Sequence, residues 1–539
     1  MSLRLLLAIV AMFIALSRCA TIKQPTGGPK DTIPPILVRS IPENNQKNFK
    51  GKALTLTFNE FIKLKDSKEI IITPSPGKAV NISAKQKTLT IEPKEKWHDS
   101  TTYSIAFRES VQDITESNPV ENLHLAFSTG PVIDSLSISG SIRYALKETI
   151  PEKIIVAVYQ ADTFNIAKHK ASYFTKTDKK GHFLIQNLKP GLYHIYAFDD
   201  KNKNIKVETQ SEMFGFISKP IDLRKNIDTI QIGILNIDSR ALKLKSVRHN
   251  EKFTKLRFNK YLTSYKIKFP HSQSLLNTFG DDQTEINIYH SIEINDSIPI
   301  TVHVQDSINQ AIDTTVYVKS SPNKIPKEKF KFAITSTAID VETGKVTAVA
   351  KFNIPLKTIQ MDTIRIKIDS ASSIAVAPQN VTIDTAINQA SFQCSIDKTL
   401  LVSLEEPPQL YISKGVFISI ENDSSKIIKV PIPFLKPDET GTLSVDVKTK
   451  ETNFEVQLVT KDYKILQRFR NSKKIIFKNI PPAEYKLRAL IDTNKNTKWD
   501  VGNVNKQEEP EKIIYYKSES KYEFSIRANW EVGPLLFRF

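Results

Sequence analysis

The stretch Ala53–Glu60, ALTLTFNE, sets the pattern that decides the fold. Its apolar residues Leu54, Leu56 and Phe58 stand at every second position, with threonines between them. Successive side chains of a β-strand point to opposite faces of a sheet, so this spacing predicts a strand with one face in a hydrophobic core. The closing Phe-Asn-Glu marks the point where that strand ends and the chain turns.

The same alternation continues along the chain, for example in TYSIAF (Thr102–Phe107) and NLHLAFST (Asn122–Thr129). Turn residues separate such runs at intervals of about eight to twelve positions, which is typical of β-sandwiches. No amphipathic segment is longer than about a dozen residues, so we expect only short helices. Because 539 residues are too many for one core, we predict an all-β protein of tandem β-sandwich domains that follow a signal peptide and a short linker.

Composition agrees with a folded chain, since 40% of the residues are hydrophobic and 25% are charged. The formal charge is +18, from 76 Lys and Arg against 58 Asp and Glu. The lysines are scattered singly among the strand-like segments, and neither a basic helix nor an RNP-type aromatic motif is present. We therefore expect no nucleic-acid partner and find attraction to anionic polymers of a cell envelope the better explanation.

The N-terminus indicates export. Arg4 precedes an apolar run, Leu5–Leu16, which has the length of a signal-peptide core and is too short to cross a bilayer. The following Leu-Ser-Arg-Cys resembles a bacterial lipobox, which implies that Cys19 is lipidated and holds the chain at a membrane. Arg18 departs from the small residue expected before the cysteine. An ordinary secretory signal that leaves a soluble periplasmic protein is therefore the alternative.

Cysteine usage fits the anchor, because the chain has only Cys19 and Cys394. A secreted protein that relied on disulfides would carry more cysteines, in pairs. Cys394 alternates with Phe392 and Ile396, which predicts a buried thiol in a strand.

Two short motifs recur in a way that indicates repeated domains. A strand ending in Phe-Asn occurs in LTFNEFIKLKD from Leu56, LRFNKYLTSYK from Leu256 and AKFNIPLKTIQMD from Ala350. A strand running into Val-Gln-Asp occurs twice, with its aspartate at Asp113 and Asp306. With the closing Phe-Ser-Thr-Gly at 127–130, the first copy resembles the SbsA-type bacterial Ig-like domain, and the later copies resemble it more loosely.

A second repeat links the middle of the chain to its end. FLIQNLKPGLYHIYAFDDKNKN (Phe183–Asn204) aligns without gaps on IIFKNIPPAEYKLRALIDTNKN (Ile475–Asn496). The first copy resembles a carboxypeptidase-regulatory or transthyretin-like sandwich, which has an Asp-x-x-Gly-x-Phe motif and a Leu-x-Pro-Gly-x-Tyr turn. The second copy has Lys473 and Ala483 where that pattern has glycine, so we expect its turns to be built differently.

The whole arrangement resembles the Ig-like lipoproteins of Bacteroidota. The predicted order is a signal peptide at 1–18, a Pro/Gly-rich linker at 19–33, an SbsA-type Ig-like domain at 34–130, a transthyretin-like sandwich at 131–236, degenerate Ig-like sandwiches at 237–325 and 326–436, and a transthyretin-like sandwich at 437–539. The resemblance implies a lipid-anchored protein of the outer membrane. The absence of an acidic run beside Cys19 slightly favours the periplasmic side, but leaves surface exposure open.

One loop has the composition of a calcium site. Calcium takes about six to eight oxygen ligands, and Asp-x-Asn-x-Asn spacing directs alternate side chains to one centre. The candidate ligands in this loop are Asp492, Asn494, Asn496 and Asp500. Asp200–Asn204 repeats the motif with fewer carboxylates. Against calcium, no glycine follows Asn496, and Asn503 stands where an EF-hand has glutamate. The alternative is that these side chains cap turns and Trp499 packs over them.

Catalytic motifs are absent, including His-Glu-x-x-His, Gly-x-Ser-x-Gly and the Walker glycine loop, so we expect no enzymatic activity and no cofactor other than calcium. Two function classes remain. A structural or adhesive scaffold that contacts other envelope proteins predicts an elongated rod. A protein that binds envelope glycans predicts exposed aromatic platforms, for which the candidates are Trp97, Trp499 and Trp530.

Overall fold

The computed structural model describes residues 31–539 apart from positions 78, 122, 161–163, 170, 271–274 and 291–296. The predicted signal peptide, Cys19 and most of the predicted linker lie outside the described residues. In the described part, strands predominate, and no helix is long and apolar enough to span a bilayer. The short helices are the α-helix Lys398–Ser403 and the 3-10 turns Ser67–Glu69, Met361–Thr363, Pro378–Asn380, Pro437–Glu439 and Val504–Lys506.

The first sandwich has two main sheets that enclose its core. Its strands are β1 (Leu37–Ile41), β2 (Leu54–Phe58), β3 (Ile62–Leu64), β4 (Ile71–Thr73), β5 (Val80–Lys85), β6 (Thr88–Pro93), β7 (Thr102–Ala106), β8 (Val111–Asp113) and β9 (His124–Ser128). One sheet has the order β1-β2-β6-β5, the other β4-β7-β9, and β3 pairs with β8. Leu56, Ile91, Tyr103 and Phe127 are buried between the sheets, as the period of two requires.

The second sandwich contains a parallel strand pair. Its strands are β10 (Leu136–Tyr144), β11 (Ile155–Tyr159), β12 (Tyr173–Lys176), β13 (His182–Leu188), β14 (Gly191–Phe198), β15 (Met213–Phe216), β16 (Ile221–Leu223) and β17 (Ile227–Asn236). Their order is β12-β11-β14-β15-β17-β10-β13, with β16 also paired to β14. The parallel pair is formed by the first and last strands, β10 and β17.

The third and fourth sandwiches are antiparallel throughout. The third has β18 (Leu244–His249), β19 (Phe253–Phe258), β20 (Leu262–Lys268), β21 (Asn277–Phe279), β22 (Glu285–Tyr289), β23 (Ile298–Asp306) and β24 (Ala311–Val318). The fourth has β25 (Phe332–Asp340), β26 (Lys345–Phe352), β27 (Leu356–Ile359), β28 (Ile364–Lys367), β29 (Ser373–Ala375), β30 (Val381–Asp384), β31 (Gln389–Ser395), β32 (Gln409–Ile412), β33 (Phe417–Ser419) and β34 (Ile428–Pro431). Cys394 lies in the core of the fourth, as predicted.

The fifth sandwich completes the described chain. Its strands are β35 (Gly441–Lys448), β36 (Phe454–Thr460), β37 (Ile465–Arg470), β38 (Lys474–Ile480), β39 (Ala483–Ile491), β40 (Ile513–Tyr515), β41 (Glu523–Ile526) and β42 (Glu531–Arg538). One sheet has the order β38-β35-β42, the other β37-β36-β39-β40, and β41 also pairs with β39. The all-β prediction of tandem sandwiches is therefore confirmed.

The recurring Phe-Asn motif has the same structural role in the first, third and fourth sandwiches. In each, the asparagine side-chain oxygen accepts a hydrogen bond from the backbone amide just before the first strand. The donor and acceptor pairs are Ile36 to Asn59 at 2.7 Å, Lys243 to Asn259 at 2.8 Å and Lys331 to Asn353 at 2.7 Å. The motif thus ties the start of the first strand to the end of the second, which explains why it recurs.

The second and fifth sandwiches share one eight-strand plan. Strands β10–β17 correspond in chain order to β35–β42, and most of their pairings match, including the parallel pair between the first and last strand. The difference is that β15 also pairs with β17, whereas β40 and β42 belong to separate sheets. The hydroxyl of Tyr193 donates to the carbonyl of Lys189 at 2.9 Å, and that of Tyr485 donates to the carbonyl of Pro481 at 2.8 Å. The repeat read from the sequence is therefore also a repeat of structure.

Residues with left-handed backbone occupy equivalent positions in the second and fifth sandwiches, with one exception. The exception occurs where the fifth sandwich lacks a glycine that the second sandwich has. Asn187 and Asn479 have φ angles of 59° and 52°. Before β13 the left-handed residue is Gly181, with φ of 77°, whereas before β38 it is Asn471, with φ of 51°. Asparagine tolerates this conformation better than lysine does, so the turn moves to a residue that can adopt it.

Candidate functional site

The fifth sandwich folds back onto the second, although two sandwiches separate them in sequence. The loop between β39 and β40 carries an apolar segment that packs against the outer face of the second sandwich and against one residue of the third. We call this cluster the three-domain junction. Its principal members are Tyr159, Tyr196, Phe198, Phe214 and Phe216 from the second sandwich, Ile308 from the third, and Trp499, Val501 and Val504 from the fifth.

Direct hydrogen bonds surround the apolar centre of the three-domain junction. The buried side chain of Asn503 donates to the carbonyl of Ile308 at 3.1 Å. Both the backbone amide and the hydroxyl of Ser218 donate to Glu509, each at 2.8 Å. Because a buried polar group is costly without a partner, the bond from Asn503 favours this docking geometry over others.

A buried ion pair forms a second contact between the same two sandwiches. Lys486 lies 2.6 Å from Glu148, and their side chains are only 7% and 9% exposed. Tyr463 donates to Glu148 at 2.7 Å. Burial alone would raise the pKa of Glu148, but the hydrogen bonds from Lys486 and Tyr463 outweigh it and hold that pKa below its ordinary value. Burial and the bond to Glu148 raise the pKa of Tyr463 to about 12.

In the described chain, three of the four joints between consecutive sandwiches also contain a direct ion pair. The linking ion pairs are Lys176–Glu69 at 2.7 Å between the first and second sandwiches, Lys252–Glu421 at 2.7 Å between the third and fourth, and Lys478–Glu342 at 2.9 Å between the fourth and fifth. The sandwiches therefore do not follow one another in a simple line. The elongated rod expected for a spacer is corrected to a chain that closes on itself, because the fifth sandwich buries an apolar face of the second.

The predicted calcium loop brings its four candidate side chains together. The carboxylate of Asp492 accepts hydrogen bonds from the backbone amides of Asn496 and Thr497, at 3.0 and 2.9 Å. The side-chain amides of Asn494 and Asn496 both donate to Asp500 at 2.6 Å. These are the turn-capping bonds that stood as the alternative to calcium.

Glu511 is a further member of this loop that the sequence motif did not include. Its carboxylate accepts from the backbone amides of Thr493, Asn494 and Asp500 at 2.6, 3.2 and 3.1 Å. Among the described residues, no group of three or more His, Cys, Asp or Glu side chains is arranged to hold a metal ion. Calcium at this loop therefore stays a prediction.

The three tryptophans have different environments. Trp97 is only 8% exposed, packs edge-on against Tyr103 and Phe127, and donates to the carbonyl of Lys52 at 3.0 Å. It is part of the core of the first sandwich and cannot serve as a ligand platform. Trp530 is 49% exposed, with the guanidinium of Arg527 at 4.8 Å from its ring.

Trp499 has two roles in the structure. Its indole nitrogen donates to the carbonyl of Glu511 at 2.8 Å, and part of its ring packs in the three-domain junction. It also lines a pocket of about 320 Å³ on the fifth sandwich. The other lining residues include Glu455, Gln457, Arg468, Arg470, Lys495, Thr497 and Lys498. Trp97, Trp499 and Trp530 are therefore not one site.

Sequence reasoning missed the residues that join the second and fifth sandwiches. Glu148 and Lys486 belong to no motif, and their pairing depends on the docking of two domains far apart in sequence. Trp499, Val501 and Val504 did give a signal, since they are apolar residues in an otherwise polar loop. The sequence motifs also did not identify Ser419. In the fourth sandwich, Ser419 pairs with Leu356 at the position that Asp113 occupies in the first sandwich and Asp306 in the third.

A comparison with curated proteins finds no match to the chain. Solved structures to which it is similar include the TIE protein of Bacillus anthracis, with 11% identity, a TM-score of 0.13, and coverage of 96% of this chain and 75% of that one. The major pilin subunit BcpA of Bacillus cereus has 11% identity, a TM-score of 0.13, and coverage of 76% and 99%. The human desmocollin-1 ectodomain has 9% identity, a TM-score of 0.12, and coverage of 75% and 79%. At such TM-scores these similarities carry no argument about function.

A family model matches one part of the chain. Residues 31–129 match the bacterial Ig-like domain. The match spans all nine strands of the first sandwich, from β1 to β9. The first sandwich is therefore a bacterial Ig-like domain.

Proposed function

We propose that the protein is a non-enzymatic scaffold of a bacterial cell envelope, held at the outer membrane by lipid on Cys19. The three-domain junction is the observation that carries this proposal. A chain whose fifth sandwich locks onto its second holds its surfaces in fixed relative positions, which suits a protein that positions other envelope components. On this proposal, the second and fifth sandwiches are transthyretin-like modules, and the chain is an Ig-like lipoprotein of the Bacteroidota kind.

Cysteine cross-linking in cells with a short bis-maleimide tests the closed arrangement. We would introduce Ser218→Cys and Glu509→Cys together into a Cys394→Ser chain, because Ser218 and the end of the Glu509 side chain are in hydrogen-bond contact and the reagent spans the length of that side chain. The expected result is an intramolecular cross-link that shifts the protein on a non-reducing gel. A matched pair with Ser218→Cys and Lys398→Cys should not cross-link, since Lys398 belongs to the fourth sandwich. Equal yields from both pairs, or none from the first, would contradict a locked scaffold.

The anchor is tested separately by globomycin, which blocks cleavage of lipoprotein precursors. We expect the precursor to accumulate in treated cells, and Cys19→Ser to move the protein from the membrane fraction to the soluble periplasm. If neither change occurs, the chain is a secreted protein with an ordinary signal, while the closed scaffold is unaffected.

Glycan binding is the second proposed function, and the position of Trp499 beside a polar pocket favours it. Tryptophan has a large apolar face with one polar edge, which suits contact with sugar rings. A polysaccharide that binds only the folded protein raises its thermal midpoint by mass action. Thermal shift against a polysaccharide panel tests this. An unchanged midpoint across the panel would leave the scaffold as the single proposed function.

A further inference from the structure

The second and fifth sandwiches differ in the polarity of one equivalent outer sheet face: this face is apolar in the second sandwich and polar in the fifth. Strand pairing places Ile155 and Ala157 of β11 opposite Phe198 and Tyr196 of β14. In the fifth sandwich, the same pairing places Glu455 and Gln457 of β36 opposite Leu490 and Arg488 of β39. The apolar face of the second sandwich is covered by the three-domain junction. The corresponding face of the fifth sandwich is polar and forms the floor of the Trp499 pocket.

The floor of that pocket is an ordered ladder of polar side chains. Oε2 of Glu455 accepts a hydrogen bond from Arg470 at 2.7 Å, and Oε1 accepts one from Gln457 at 2.6 Å. The guanidinium of Arg468 lies 3.7 Å from Oε1. Gln457 accepts in turn from Arg488 at 2.8 Å. One carboxylate thus has two arginines beside it, so the ladder keeps an excess of positive charge, and both arginine side chains remain more than half exposed.

The loop between β39 and β40 adds two cations and an aromatic ring to the lining of the pocket. Within the described residues, the ammonium groups of Lys495 and Lys498 have no hydrogen-bond or ion-pair partner. Asp492 is the acidic residue that this loop adds to the lining, and its carboxylate already accepts hydrogen bonds from two backbone amides. Trp499 also lines the pocket. Both the strands and this loop therefore contribute positive charge to the lining of the pocket that is not neutralised within the protein.

We infer that this pocket binds an anionic saccharide, with the carboxylate or sulfate group near Lys495, Lys498 and Arg468 and a sugar ring against Trp499. The inference rests on the second proposed function and names its ligand class. A volume of about 320 Å³ exceeds what a free inorganic anion needs, and it lies within the usual range of about 300–1,000 Å³ for small-molecule pockets. Arginine offers paired donors that match a carboxylate or sulfate, and the aromatic face supplies the apolar contact.

Calorimetric titration of the full mature chain tests the inference with three tetrasaccharides: oligogalacturonate, a sulfated heparin fragment and neutral maltotetraose. We expect one or both anionic sugars to bind and the neutral one not to bind. Lys495→Ala with Lys498→Ala should weaken that binding about tenfold, as two partly exposed charge contacts would. Raising the salt concentration should weaken it further by screening.

The matched control is Lys179→Ala with Lys180→Ala, which removes the same charge from an exposed loop of the second sandwich. This variant should bind like the unchanged protein, because its lysines lie away from the pocket. Binding by only one anionic sugar supports the inference and identifies the anionic group. Equal losses in both double variants, or no binding by either anionic sugar, would overturn it. Binding of maltotetraose with the same affinity would leave glycan binding in place and remove the charge requirement.

Discussion

Removing the charge of Glu148 should release the fifth sandwich from the second. Glu148→Gln keeps the size and hydrogen-bonding capacity of the side chain but leaves Lys486 buried without its principal counter-charge. Removing one partner of a buried ion pair is destabilising by about 3–5 kcal/mol, because the other charge is left buried without compensation. Lys486 keeps a second carboxylate, Glu523, at 3.5 Å, and a partly exposed pair of that kind contributes up to about 1 kcal/mol. We therefore expect docking to weaken by about 3 kcal/mol.

Hydrogen exchange measured by mass spectrometry reports this docking directly. The hydroxyl of Tyr515 donates to the carbonyl of Leu146 at 2.6 Å, which places both residues at the interface. Docking excludes solvent there, so we expect amides in peptides around either residue to be protected in the unchanged protein. In Glu148→Gln, these peptides should exchange on the order of a hundredfold faster, since about 1.4 kcal/mol corresponds to a factor of ten. Peptides from the first sandwich should exchange as before.

Two variants decide whether charge burial is the cause. Glu484→Gln removes an exposed partner of Lys461 on the same sandwich and should leave exchange unchanged. Combining Glu148→Gln with Lys486→Met removes both buried charges and should restore much of the protection. The reasoning is refuted if Glu484→Gln has the same effect as Glu148→Gln, or if the double variant exchanges faster than either single one.

Four further outcomes are expected. Because the pKa of Glu148 is held below the ordinary value of 4.5, its contribution to docking is complete above that pH and is lost as the pH falls through the lowered pKa; acid-dependent exchange in the same peptides measures this. Tyr193→Phe and Tyr485→Phe should each lower the free energy of unfolding by about 1 kcal/mol, since each removes one buried hydrogen bond; very unequal denaturation curves would contradict their equivalence. Burial raises the pKa of Cys394 to about 11, so iodoacetamide should label it only after denaturation, and rapid labelling of the native protein would contradict its burial. If the loop from Asp492 to Asp500 binds calcium, millimolar calcium should raise the thermal midpoint and Asp500→Asn should abolish the rise, whereas an unchanged midpoint would leave the loop as a capped turn.

Local patterns in the sequence were enough to predict the strands. Leu54, Leu56 and Phe58 alternate because one face of β2 lies in a core, and this relation needs no knowledge of distant residues. The equivalence of the Tyr193 and Tyr485 segments could be predicted as well, since it rests on a gap-free alignment. Trp97 could not be distinguished from a surface tryptophan, because its burial depends on Tyr103 and Phe127 packing around it.

The docking of the sandwiches could not be predicted, because it depends on pairs of surfaces. The apolar outer face around Tyr196 and Phe198 reads like an ordinary buried strand, and nothing in the sequence says that a second layer covers it. The charged pocket was missed for a similar reason. Arg468 and Lys498 stand on different elements, and only the folded chain brings them to one opening.

The order of synthesis gives the three-domain junction a further consequence. Ser218 and Glu509 are 291 residues apart, and at about 5–20 residues per second the ribosome needs roughly 15 to 60 s to complete that interval. During synthesis, the aromatic patch around Phe214 and Phe216 therefore emerges long before the segment that covers it. A chain that lacks its C-terminal part, through incomplete synthesis or proteolysis, exposes the same apolar surface permanently. Such a chain should be a good substrate for chaperones and proteases, so that only complete molecules accumulate.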